Sequence, residues 1–131
     1  MIRVALFAAI LTTAAQAEDI VTAEAFQSLS QGKTLHFNFA GQHFGSEQYF
    51  NDRKSLWKPA QGDCDYGYWF PKDQQICFAY ESWPDPICWL FVERGGTYFA
   101  RQSDNPDGVD EIELVASDEQ PLNCPGPRTG S

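Results

Sequence analysis

The stretch QICFAYESWPDPICWLFVERGG, Gln75 to Gly96, sets a cysteine and an aromatic run on each side of a Trp-Pro-Asp-Pro corner. Ile87, Trp89 and Phe91 fall at every second position, the period of a strand with one buried face. Trp83 to Pro86 and Gly95-Gly96 are turn signals. Two neighbouring strands that a cystine could tie together are what these residues specify.

The same grammar continues outward. Leu35, Phe37 and Phe39 alternate with Thr34, His36 and Asn38; Tyr66, Tyr68 and Phe70 repeat the pattern as a second buried face; Ile112 and Leu114 alternate with Glu111 and Glu113. Ala40-Gly41, Asn51-Asp52, Pro71 to Gln74 and Asp104 to Gly108 add turns at nearly regular intervals. Eight strands are expected, at 33–39, 43–50, 54–58, 65–70, 75–80, 87–93, 97–102 and 111–116. Connections this short require antiparallel neighbours. The predicted fold is therefore all-β: an antiparallel eight-stranded meander, either a small barrel or a strongly curved sheet. One short N-terminal helix precedes it over Ala23 to Ser30, with Thr22 as N-cap, Phe26 and Leu29 on one face and Gly32 as its stop.

Residues 1–17 have the form of a signal peptide: Arg3 in a short basic start, an apolar run from Val4 to Ala15, and Ala15-Gln16-Ala17 as a small-x-small cleavage site. The run is shorter than the roughly 20 residues that cross a bilayer. No membrane insertion is expected after cleavage, and residues 18–131 form a single disulfide-stapled β domain, expected as a monomer in the periplasm or secreted.

Export makes Cys64, Cys77, Cys88 and Cys124 interpretable as two cystines. Zinc is disfavoured because no C-x-x-C pair occurs. Of three possible pairings we choose Cys77–Cys88, tying neighbouring strands, and Cys64–Cys124, pinning the tail; Cys64–Cys77 remains an alternative. Cys124-Pro-Gly-Pro is then a rigid anchored tail. Loss of the leader takes Arg3 with it and leaves 8 basic against 18 acidic side chains, a formal net charge of −10. Such a chain repels nucleic acid and anionic surfaces and attracts cations or basic proteins.

Aromatic residues are 15% of the chain and must supply most of the core. Trp57, Trp69 and Trp89 suit packing on the sheet. Trp83 lies in a loop between Ser82 and Pro84, where a large ring either folds back over a barrel mouth or meets a partner. Trp83, Asp85 and Trp89 are accordingly the candidate binding residues.

No catalytic residue is assigned. His36 and His43 are the two histidines, and no Gly-x-Ser-x-Gly, His-Glu-x-x-His or phosphate-binding glycine loop occurs. His36 and His43 could share the polar face of a hairpin, with Glu47 as a conceivable third metal ligand, but two solvated histidines are the plainer expectation, and no metal is assigned. Asp63 with Asp65, and Glu111 with Glu113, have the alternate spacing of carboxylates on one exposed strand face, which accounts for them without an acid–base pair. SDNPDGVDEIEL, from Ser103, places Leu114 where a calcium loop needs its bidentate Glu, so an acidic hairpin loop is expected instead.

The succession Gly32-Lys-Thr-Leu35, Glu47-Gln-Tyr-Phe50, Trp57, Cys64 with Gly67 and Trp69, Ile76-Cys77-x-x-Tyr80 and Cys88-Trp89 resembles a group of small exported bacterial proteins of unassigned function. The resemblance implies a periplasmic all-β domain with disulfides and carries no catalytic residues over. The functional expectation is a non-enzymatic binding or interaction domain without cofactor, for a small apolar ligand or a protein partner. The alternative is an inhibitor of a basic secreted enzyme such as a lysozyme, and less favoured is a small hydrolase.

Overall fold

A computed structural model describes residues 1–12, 17–102 and 110–127. Thr13 to Gln16, and with them most of the proposed cleavage site, lie outside the described residues, as does Ser103 to Val109 of the acidic loop. After β1 (Asp19–Ile20) and α1 (Ala23–Ser30) come β2 (Thr34–Phe39), β3 (Gln42–Tyr49), a 3₁₀ turn (Asn51–Arg53), β4 (Lys54–Pro59), β5 (Asp65–Lys72), β6 (Gln75–Tyr80), β7 (Ile87–Arg94), β8 (Thr97–Gln102) and β9 (Ile112–Asp118). β2 to β9 pair antiparallel in sequence order, and β9 pairs with β2, so the meander closes into an eight-stranded barrel. The extra strand β1 pairs with β7 on the outside of the ring order.

The turns follow from local chemistry. Ala40-Gly41, Asp73-Gln74 and Gly95-Gly96 each place two successive residues at positive φ, the backbone of the two-residue hairpins whose twist matches that of the strands. Thr22 caps α1 through Ala25 N–H to Thr22 Oγ1 at 3.1 Å. Short turns at 50–53, 73–74 and 95–96 lie at the end of the barrel next to α1, whereas the longer connections 60–64 and 81–86 lie at the opposite end.

Phe26 decides what happens inside. It is fully buried, and its ring centroid stands 4.9 Å from those of Trp69 and Phe91, 5.5 Å from Tyr49 and 6.3 Å from Phe78, mostly edge to face. The helix therefore stoppers one end of the barrel, where Arg53 also lies over the Trp69 ring at 4.7 Å.

One expected face is corrected. Tyr66, Tyr68 and Phe70 point outward: Tyr68 is 54% exposed while Trp69 is 2% exposed. The inward set on β5 is Asp65, Gly67 and Trp69. β5 is aromatic at consecutive positions, so alternation alone fits either face, and Trp69 wins the interior because it meets Phe26. At Gly67 a Cβ would collide with Ala79 O and the Tyr80 ring, so the close approach of β6 needs glycine there.

The structure carries the cystines Cys77–Cys88 and Cys64–Cys124. Cys77 and Cys88 are directly opposite in the β6–β7 register. The tail beyond β9 runs across the outside of four consecutive strands. Thr34 on β2 donates to Gln120 O at 2.7 Å; Leu122 N–H donates to Gln48 Oε1 on β3 at 2.9 Å; Lys58 on β4 donates to Asn123 O at 3.1 Å. Tyr66 on β5 closes the series by donating to Pro125 O at 3.0 Å. That contact gives the outward Tyr66 a structural use. On the far side of the ring, Arg94 and Arg101 are bound by Glu18 and Glu111, with Arg101 forking onto Glu18 at 2.8 Å through both nitrogens. Glu111 is therefore not on a solvated face with Glu113, as expected, but largely enclosed by two guanidinium groups.

Two outcomes follow for stability. Phe26→Ala removes the stopper and is expected to lower the unfolding free energy by about 3–5 kcal/mol in urea denaturation. Opening the cystine with a sequence separation of 60 by Cys64→Ser/Cys124→Ser removes about 4 kcal/mol on chain-entropy grounds, and opening the one with a separation of 11 about 3 kcal/mol; the same denaturation series ranks the two.

Candidate functional site

The half of the barrel away from α1 is hollow. A cavity of about 300 Å³ is bounded by residues from β2, β3, β4, β6, β7, β8 and β9 and by the loop that carries Trp83, a size at the lower end for small-molecule sites. Its floor is shared with the packed half through Tyr49, Phe78 and Phe91. Its wall is aromatic: Phe44 lies 5.5 Å from Trp57 and 6.5 Å from Trp89.

Local sequence explains how the rings are admitted. Phe44 is the extra residue of a bulge on β3, where Phe37 faces Gly45 and Asn38 faces His43. At Gly45 a Cβ would collide with the indole of Trp57, so the bare backbone makes room for that ring.

The rim is anchored. Asp65, expected on an exposed face with Asp63, is buried at the start of β5, where Ser82 donates to it from its backbone N–H at 3.3 Å and from its hydroxyl. Glu81 N–H donates to Tyr66 O at 2.9 Å and Trp83 N–H to Tyr80 O at 3.2 Å. The 81–86 loop is thus held at its base, and the cystine joins the strands on its two sides. Trp83 at its tip is 52% exposed yet lines the cavity. Trp89 lines it from β7, whereas Asp85 is exposed and takes no part in the lining.

The polar heart of the chamber is Glu47. It is 2% exposed, sits directly opposite Trp57 in the β3–β4 register, and receives the Tyr80 hydroxyl at 3.0 Å on each carboxylate oxygen. Burial pushes its pKa up to about 8; the hydroxyls of Ser55 and Tyr80 oppose that rise and the negative charge of Asp65 adds to it. Ser55 Oγ, on the next strand, lies near enough to favour the ionised carboxyl but completes no hydrogen bond, and is the buried side-chain polar atom without a partner among the described residues. Burial and the Glu47 carboxyl together raise the pKa of Tyr49 and of Tyr80, so both phenols stay neutral.

Glu47 is thus in a different place from the one its sequence suggested. His36 faces outward, bridging Ser46 at 2.6 Å and Asp118 at 2.8 Å, and His43 is exposed near the Ala40-Gly41 turn. The two histidines and Glu47 do not converge, and no cluster of three metal-ligating side chains occurs among the described residues. Phe44, Trp57 and Tyr80 were not singled out as lining residues from sequence. The shared period of Glu47 and Tyr49 is the signal that could have placed the carboxyl inside.

No protein-family model, curated protein or solved structure matches this chain. What the fold and the chamber define is a class: a closed antiparallel meander barrel, stoppered by a helix at one end and hollow and ring-lined at the other. Two disulfides place such a chain in an oxidising, extracytoplasmic setting, and no helix among the described residues is long and apolar enough to cross a membrane.

The buried carboxyl makes stability pH-dependent. Below about pH 4.5 Glu47 is protonated whether the chain is folded or not, and costs nothing. Between there and about pH 8 the unfolded chain ionises it while the folded chain holds its proton, so its contribution destabilises progressively and levels off above pH 8. Glu47→Gln is expected to remove this slope and to raise stability at pH 8 by a few kcal/mol, read from urea midpoints between pH 4 and 9.

Proposed function

We propose that this protein is a periplasmic or secreted binding protein that holds a small, largely apolar ligand in the hollow half of its barrel. The observation that carries this reading is the ring-lined cavity of about 300 Å³, which the protein's own side chains leave unfilled although aromatic residues are plentiful. The anchored loop with Trp83 at the rim supplies an entrance residue, and the interior offers an apolar body with few polar groups, the usual make-up of a small-molecule site. The apolar side chains Ile2, Val4, Leu6, Phe7, Ile10 and Leu11 stay exposed and join no core, which suits a leader removed on export.

The second reading is an inhibitor of a basic secreted enzyme such as a lysozyme. It is favoured by the half-exposed Trp83 on a loop held rigid at its base, together with the acidic surface. Catalysis is the least favoured reading, because Glu47 has phenols and rings around it, and no second carboxyl and no His or Lys lines the chamber among the described residues.

Titration of the mature protein with neutral single-ring and two-ring compounds is expected to change tryptophan fluorescence saturably. Ile87→Trp, which fills the cavity from β7, should abolish the change while leaving the thermal transition within a few degrees. A wild-type protein that takes up none of these compounds, yet inhibits a lysozyme in a Trp83-dependent manner, would favour the second reading.

A further inference from the structure

We propose that the chamber selects a small organic cation, an ammonium head on an apolar body, with the head seated between the Glu47 carboxyl and the rings of Trp57, Phe44, Trp89 and Tyr80. The proposal rests on the ligand-container reading and names the ligand's chemistry.

Three observations converge on it. Among the described residues Glu47 is a buried carboxyl with no cationic partner: Tyr80 is its hydrogen-bond donor, and no described Lys, Arg or His lines the cavity. A buried carboxyl in a protein either keeps its proton or, when ionised, is matched by a cation or a metal. Around this one the wall is built of aromatic side chains, and the negative quadrupole of an aromatic ring attracts a cation lying over its face within about 6 Å. Trp57 is directly across the ladder from Glu47, and Phe44 bridges Trp57 to Trp89. The net negative charge of the chain, finally, draws cations rather than anions toward the protein.

Other ligand chemistries fit less well. An anionic amphiphile would bring its carboxylate into an aromatic chamber in which no described lining residue is cationic. A neutral hydrocarbon would fill the space but leave Glu47 with Tyr80 alone.

Among the described residues, the groups facing Glu47 are Tyr49 on its own strand, Ser55 and Trp57 on β4, Asp65 on β5 and Tyr80 on β6; none of these is basic. Glu47 holds its proton up to about pH 8. A cation that requires the ionised carboxyl therefore displaces that proton, and its affinity rises about tenfold per pH unit up to about pH 8 and is flat above.

Benzyltrimethylammonium and its uncharged carbon isostere neopentylbenzene are the probes, titrated by fluorescence and calorimetry into the mature wild-type protein and into Glu47→Gln. Neither probe titrates, so any pH dependence belongs to the protein. The expected result at pH 8 is a preference of at least tenfold for the cation, falling as the pH is lowered to 6. It is accompanied by proton release and is abolished by Glu47→Gln with isostere binding retained. Equal binding of both probes, a preference for the isostere, or a cation preference that survives Glu47→Gln or is independent of pH overturns the proposal while the container reading stands. Failure of both probes together with the neutral panel overturns both. The wild-type pH series decides the matter even if the variant does not fold.

Discussion

The seating of one phenylalanine among four rings governs this structure. A barrel of eight strands has an interior that side chains can just fill, and this chain has few aliphatic residues with which to fill it. Phe26, brought in by a two-turn helix, packs against Tyr49, Trp69, Phe78 and Phe91 and makes one half of the interior solid. The other half is left to rings that stand around the wall rather than meet at the axis. A packed half and a hollow half within one sheet are thus the outcome of where the helix enters.

Most of the scaffold was legible in the chain. Turn chemistry at Ala40-Gly41, Gly95-Gly96 and around Asp73-Gln74 delimited the strands to within a residue or two, and Thr22 fixed the helix start. Closure into a barrel was one of two expectations, and the pairing of β9 with β2 selects it. The face of β5 was not legible. In Tyr66-Gly-Tyr-Trp-Phe70 every position except the glycine is aromatic, so hydropathy has no period there, and the facing choice is made by a helix and a tail distant in sequence.

The same limit applied to the site. Glu47 looks like a surface carboxylate beside two histidines as long as β3 is read as a regular strand. The bulge at Phe44 shifts the register between Gly45 and His43, so residues before and after it cannot be placed on faces by one alternation. Asp65 and Glu111 were misplaced for a related reason: each is enclosed by partners far away in sequence, Ser82 for one and two arginines for the other. Trp83 was the exception, because a tryptophan between serine and proline in a loop has few places to go, and the barrel mouth is one.

A hollow interior cannot brace a wall from within, and here the bracing is external. The tail crosses β2 to β5 and is locked by Cys64–Cys124, Cys77–Cys88 joins β6 to β7, and the arginine–glutamate group joins β7 and β8 to the approach of β9. These are hoops on a cask. Staves so bound keep their curvature from outside, so the hollow half needs no packing of its own to hold its shape.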